Sequence, residues 1–155
     1  MARLFLVHWH QAEAEDRATR LRADGHTVSV HWSSETNPPL KDSLPDIAVI
    51  SLDRLPSHGR AVAEWLWEAK KRQHIPIVFA GGEPHKVAAT RARFPKGVYC
   101  PTSRIVEAVA KLEAARPPAA AKRSHTRAQR LGPKHSVRAS GKNDGSQRRS
   151  RPARG

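Results

Sequence analysis

Residues Pro45–Gly59 read PDIAVISLDRLPSHG, and the reading of this stretch decides the fold. In Asp46–Leu52 the residues Ile47, Val49, Ile50 and Leu52 leave neither alternating face polar. A strand of period two with no wet side must be covered on both faces, which is the situation of strands in a parallel sheet. Leu55-Pro56-Ser57-His58-Gly59 is turn-like. Arg60–Gln73 follows as the best helix of the chain, because Val62, Trp65, Leu66 and Ala69 fall at i, i+3, i+4 and i+7. Lys70, Lys71 and Arg72 suit the negative end of its dipole.

Working outward, Arg3–His8 (RLFLVH) is a second apolar run consistent with a doubly covered strand. Ala12–Asp24 holds helix formers with Ala14, Ala18 and Leu21 on one face, and Gly25 stands where a helix-terminating glycine belongs. Thr27–His31 (TVSVH) alternates with β-branched residues and predicts the second strand. Between Trp32 and Pro45, three prolines leave room for a turn of helix around Leu40–Ser43 at most. Downstream, Pro76–Ala80 (PIVFA) predicts a strand ended by Gly81-Gly82, and Pro84 opens a short helix to Arg93. Gly97–Cys100 predicts a fifth strand. Thr102 or Ser103 then caps a last helix with Ile105, Val106, Val109 and Leu112 inward, stopped by Arg116-Pro117-Pro118.

Strands alternating with helices imply parallel pairing through right-handed crossovers. The expected fold is α/β: a five-stranded parallel sheet of flavodoxin-like order 2-1-3-4-5, helices on both faces, the second helix short or missing. A plain Rossmann half has the same alternation, but the first strand–helix junction, HWHQAEAED, lacks its glycine-rich fingerprint.

Charge divides the chain. Of the net +14, residues 116–155 contribute +11, from 12 lysines and arginines against the single acid Asp144. Residues 1–115 are therefore near balance and form the folded candidate. Residues 116–155 have Leu131 and Val137 as their only large aliphatics and predict a disordered polybasic tail, unable to bury enough surface to offset its ordering entropy. The lone Cys100 allows no intramolecular disulfide, and no apolar run is long enough for a signal sequence or a membrane span. A cytoplasmic protein without a membrane partner is expected.

Over residues 2–115, the five-fold alternation together with PDIAVISLDRLPSHG, IPIVFAGG and VYCP resembles the receiver domain of bacterial two-component response regulators. The resemblance implies a phosphorylation site at the carboxyl ends of the strands. Two acids after the first strand hold Mg²⁺, an aspartate ending the third accepts a phosphoryl group, and a Ser/Thr after the fourth and a Lys after the fifth contact it. A carboxylate attacks a phosphate dianion only where metal and lysine neutralise charge in the transition state. Here the acid-pair positions fall on His8 and Trp9, the Ser/Thr position on Gly81, and the lysine position on Cys100 before Pro101. Counting back from Pro56 puts the acceptor position on Leu52, with Asp53 one residue later. The resemblance thus implies a degenerate receiver without catalytic residues or cofactor. A one-residue deletion in the loop would instead make Asp53 the phosphoacceptor.

The same residues admit other chemistries. His8 and His10 would share a side at period two and, with Asp53 and His58, could converge on Zn²⁺, against the plainer reading of edge histidines. Cys100 as a nucleophile needs a base and a depressed pKa, and otherwise is a small residue ending a strand. Gly81-Gly82 could approach a phosphate or simply turn the chain. Trp67 lies off the apolar stripe and is either a partner contact or packed on a neighbouring helix, whereas Trp65 reads as core. Trp9 and Trp32, in matching VHW segments, could form an aromatic patch at the carboxyl edge.

The leading expectation is a non-enzymatic regulatory module that binds a protein partner. Its tail would contact DNA or RNA through Lys122, Arg123, Arg127, Arg130, Lys134, Arg138, Arg148, Arg149, Arg151 and Arg154. Such contacts gain affinity by counterion release, with little sequence preference. The alternatives are a receiver phosphorylated on Asp53, and a small metal- or nucleotide-binding protein using the histidine-rich strand ends.

Overall fold

The computed structural model describes residues 1–33, 35–36, 40 and 43–117. The elements are β1 (Arg3–Val7), α1 (Gln11–Ala23), β2 (Thr27–His31), β3 (Ile47–Ser51), α2 (Pro56–Glu68), β4 (Ile77–Ala80), α3 (Pro84–Arg93), β5 (Val98–Cys100) and α4 (Ile105–Ala115). All pairings are parallel and the strand order is β2-β1-β3-β4-β5, as the sequence predicts.

Strand alternation divides the core into two layers. Leu4, Leu6, Val49 and Val78 face Ala18 and Leu21 of α1 and Ile105 and Val109 of α4. Phe5, Val7, Ile50 and Phe79 face Val62, Ala63 and Leu66 of α2, with Phe94 beyond α3. Each large side chain buried between strand and helix in this way contributes roughly 1.5–3 kcal/mol of transfer free energy.

Four local expectations are corrected. β1 stops at Val7 rather than His8: the His10 amide donates to His8 Nδ1 at 3.0 Å and turns the chain into α1. The turn-like segment Leu55–Gly59 begins α2, with Pro56 in its first turn. Gly59 is the close-approach residue there, since a Cβ would lie 2.9 Å from Ile50 Cγ2 and 3.0 Å from the Ser51 carbonyl. α2 ends at Glu68, five residues earlier than Gln73. Arg72 folds back to donate to the Trp65 carbonyl at 2.8 Å and lies over the Trp65 ring, satisfying an orphan carbonyl of the last turn. Finally, neither Thr102 nor Ser103 caps α4. Thr102–Arg104 form a 3₁₀ turn, and the Thr102 hydroxyl goes elsewhere.

Between β2 and β3 no helix occurs among the described residues, and buried Leu40 fills that part of the α2-side core. The turn of helix expected at Leu40–Ser43 falls on residues 41–42, outside the described residues. So do the tail's expected disorder and its cations from Lys122 to Arg154. Arg116, counted with the tail by composition, makes a contact to the domain, its Nη1 lying 2.9 Å from Asp46 Oδ1. Among the described residues no helix is long and apolar enough to cross a membrane.

Candidate functional site at the carboxyl edge

Parallel strands bring their carboxyl ends to one edge, where ligands bind in open sheets of this kind. The Leu52 amide continues the sheet by bonding the Ala80 carbonyl at 2.9 Å. Its side chain is 1% exposed and lies in the α2-side core, so the position that the Pro56 count gives to a phosphoacceptor is an apolar core residue. Asp53 comes next and faces the other layer. Arg54 then takes a left-handed conformation, φ 64°, which costs a non-glycine residue roughly 1–3 kcal/mol. Its guanidinium is held by Glu13 at the start of α1, with Nε at 3.1 Å.

Asp53 is engaged by three elements at once. Gly82 N–H donates to Oδ1 at 2.8 Å, Arg17 Nη2 of α1 to Oδ2 at 2.9 Å, and Thr102 Oγ1 to Oδ2 at 3.0 Å. Ser51 completes the arrangement, its Oγ accepting from Arg17 Nη1 at 2.9 Å and from the Asp53 amide at 3.2 Å. Burial alone would raise the Asp53 carboxyl, but the Gly82 amide, Arg17 and Thr102 outweigh it and hold the pKa below the ordinary carboxylate value. Arg17 is the local cation, its side chain only 11% exposed, with Nη2 also 4.0 Å from Glu13 Oε2.

The glycine pair makes this possible. Gly81 and Gly82 have φ of 71° and 92°, which turns the Gly82 amide onto the carboxylate. A Cβ on Gly81 would stand 2.5 Å from both Asp53 carboxylate oxygens. A serine or threonine at this position and the observed placement of Asp53 exclude one another.

His8, which the resemblance sets at the first acid position, is fully buried. Its Nδ1 accepts the His10 amide, leaving Nε2 to carry the proton of the neutral ring. Nε2 lies 3.1 Å from Glu13 Oε2 without making a hydrogen bond. Burial, then the nearby Arg17 charge, lowers its pKa to about 4, so the ring is neutral at pH 7. Trp9, which the resemblance sets at the second acid position, has its ring edge-on to His58 at 3.9 Å and not against Trp32, which is 45% exposed. Cys100 is half-buried, and burial, then the Glu107 charge, raises its thiol pKa, the opposite of an activated nucleophile.

The histidines that could have converged on a metal are not brought together among the described residues. With β1 ended at Val7, His8 turns inward while His10 is half-exposed and caps α1, its Nδ1 accepting from the Glu13 amide at 3.4 Å. His58 is engaged with Trp9. No group of three or more potential metal ligands occurs among the described residues. Trp67 is likewise resolved as packing: its ring meets Phe94 edge-on at 5.7 Å and its Nε1 donates to the Ile75 carbonyl at 3.0 Å.

Sequence reasoning places Asp53 and Gly81 at one edge but misses Arg17, Ser51 and Thr102. The Glu13–Arg17 spacing of i,i+4 is a visible signal. Thr102 looks like a helix cap, and only the sheet order brings it to Asp53.

No protein-family model matches the chain, and no curated protein matches it. Similar solved structures are receivers. A putative response regulator from Chloroflexus aurantiacus is 21% identical with a TM-score of 0.59, covering 74% of this chain and 98% of that one. The receiver domain of a signal transduction histidine kinase from Syntrophus aciditrophicus is 16% identical with a TM-score of 0.60, covering 81% and 96%. The phosphorylated cyanobacterial phytochrome response regulator RcpA is 16% identical with a TM-score of 0.55, covering 72% and 91%. The chain therefore has the flavodoxin-like fold of response-regulator receiver domains.

Proposed function

We propose that this domain is a non-enzymatic regulatory module of the cytoplasm, binding a protein partner in a form that aspartyl phosphorylation does not control. The basic segment 116–155 would attach it to nucleic acid. The observation that carries this reading is the engagement of Asp53. An attacking carboxylate must present a free oxygen to the phosphorus, with a metal and a lysine to spread the charge. Here Oδ2 already takes Arg17 and Thr102, and Oδ1 takes the Gly82 amide. Arg17 supplies a covalently attached positive charge in place of a cation that comes and goes. Phosphoryl transfer would require breaking this arrangement without a lysine after β5 to replace it.

The competing reading, phosphorylation on Asp53, draws on that residue's being a third exposed beside a cleft of about 650 Å³ lined by Gly81, Gly82, Tyr99 and Thr102. Incubation with a small-molecule phosphodonor and Mg²⁺ separates the two. The intact mass stays unchanged if Asp53 is a clamp. A Mg²⁺-dependent gain of about 80 Da that Asp53→Asn abolishes establishes phosphorylation.

A further inference from the structure

We propose that the amino edge of the sheet is a contact surface for the phosphates of duplex nucleic acid, continuous with the root of the basic segment; this rests on the polyanion reading of that segment. Because the strands are parallel, the turns entering the neighbouring strands β4 and β5 lie side by side at this edge. The first turn, residues 69–76, carries Lys70, Lys71, Arg72 and His74 and no acid. The second, residues 94–97, carries Lys96 and no acid. The two are held in fixed relation, since Trp67 of α2 bonds the Ile75 carbonyl and packs on Phe94, and Arg93 pairs with Glu64.

Cations at helix ends ordinarily offset the helix dipole. Arg72 does so by bonding the Trp65 carbonyl. Lys70, Lys71 and Lys96 are different. They are exposed, and among the described residues they make no ion pair, whereas Lys86 and Lys111 are paired with Glu83 and Glu107. The root of the basic segment lies at the same edge. Arg116 is fixed on Asp46, which precedes β3, and a hollow of about 370 Å³ is lined by both Arg116 and His74. In the sequence, the 11 lysines and arginines of residues 118–155 come after Arg116, which shares that hollow with His74.

Ammonium groups contact phosphates without reading sequence. The local aromatics, Trp65 and Trp67, are half-buried and already engaged by Arg72 and Phe94, so no ring is free to stack an unpaired base. Duplex is therefore the favoured form.

The test uses the full chain and a mixed-sequence DNA duplex, with affinity measured across salt concentrations. The variant Lys70→Gln/Lys71→Gln/Lys96→Gln should bind more weakly, with a salt slope shallower by about 0.9 for each phosphate that the variant no longer neutralises. Lys86→Gln/Arg104→Gln, on residues at the carboxyl-edge side, should match wild type. A triple variant indistinguishable from wild type overturns the proposal. If Lys122→Gln/Arg123→Gln/Arg127→Gln alone weakens binding, the tail reading stands without this edge. If only the edge variant weakens it, the tail reading falls and the edge stands. Wild-type protein that ignores duplex but binds vesicles of anionic lipid contradicts both.

Discussion

Arg17 of α1 reaches the end of β3 with both terminal nitrogens, Nη2 lying 2.9 Å from Asp53 Oδ2 and Nη1 2.9 Å from Ser51 Oγ. One guanidinium thereby ties a helix to the strand end where a receiver would hold an exchangeable cation. The planar fork suits this two-point contact better than an ammonium would.

Arg17→Ala should therefore do two things. It should cost about 1–2 kcal/mol in urea unfolding, the range for charge-assisted hydrogen bonds discounted because Asp53 is a third exposed. It should also leave the Asp53 carboxylate without its paired cation, while Glu13 stays bonded to Arg54. Mg²⁺ should then raise the melting temperature of the variant and leave wild type unchanged. A variant as stable as wild type would remove Arg17 from the account.

Gly81→Ser introduces the hydroxyl that the resemblance to receivers implies at this position, yet it should destabilise the domain by about 2–3 kcal/mol. Part of that is the left-handed backbone, and the rest is collision of the new Cβ with the Asp53 carboxylate. In an Asp53→Gly background only the backbone share should remain, about 1–2 kcal/mol. Equal costs in both backgrounds would show that the carboxylate is not the obstacle.

Buried His8 makes stability depend on pH. Its folded pKa of about 4 lies below the ordinary value of 6.5. The unfolded chain therefore takes up a proton first as pH falls. The stabilisation is full above pH 6.5 and is lost between 6.5 and 4, by roughly 3 kcal/mol at most. His31 and His58, lowered chiefly by burial, act in the same direction. His8→Asn keeps an acceptor for the His10 amide and cannot titrate, so its stability should fall less steeply over that window. Parallel curves for the two proteins would place the proton elsewhere.

Arg116, the residue after α4, is paired with Asp46. A chain ending at Pro117 should unfold like the full-length protein, and limited proteolysis of the full-length protein should remove residues 118–155 first. Ending at Ala115 removes the Arg116–Asp46 contact and should cost about 0.5–1 kcal/mol more. If the chain ending at Pro117 fails to fold, residues 118–155 have a structural role.

The three inner strands are legible in the sequence because doubly buried parallel strands leave continuous apolar runs, as Ile47–Ser51 and Ile77–Ala80 do, whereas the edge strands β2 and β5 are only partly buried and read from alternation and from their place in the β/α order. Helix ends are less legible where tertiary contacts decide them. Arg72 reaching back to Trp65, and Gly59 set against the Ser51 carbonyl, are not periodic signals. The carboxyl edge reads in the sequence as a set of losses at His8, Trp9, Leu52, Gly81 and Cys100. The contacts that the structure shows around Asp53 are hidden there. Thr102 and Asp53 are 49 residues apart, and only the placement of β5 beyond β4 joins them.

Asp53, on this reading, holds the edge together instead of reacting there. Carboxylates kept for chemistry commonly cost stability, so removing them is neutral or stabilising. A clamp behaves oppositely. Asp53→Asn keeps the shape but turns an amide donor or a neutral carbonyl toward Arg17. Urea unfolding at pH 7 should show a loss of about 1–3 kcal/mol relative to wild type. Unchanged or increased stability would contradict the account.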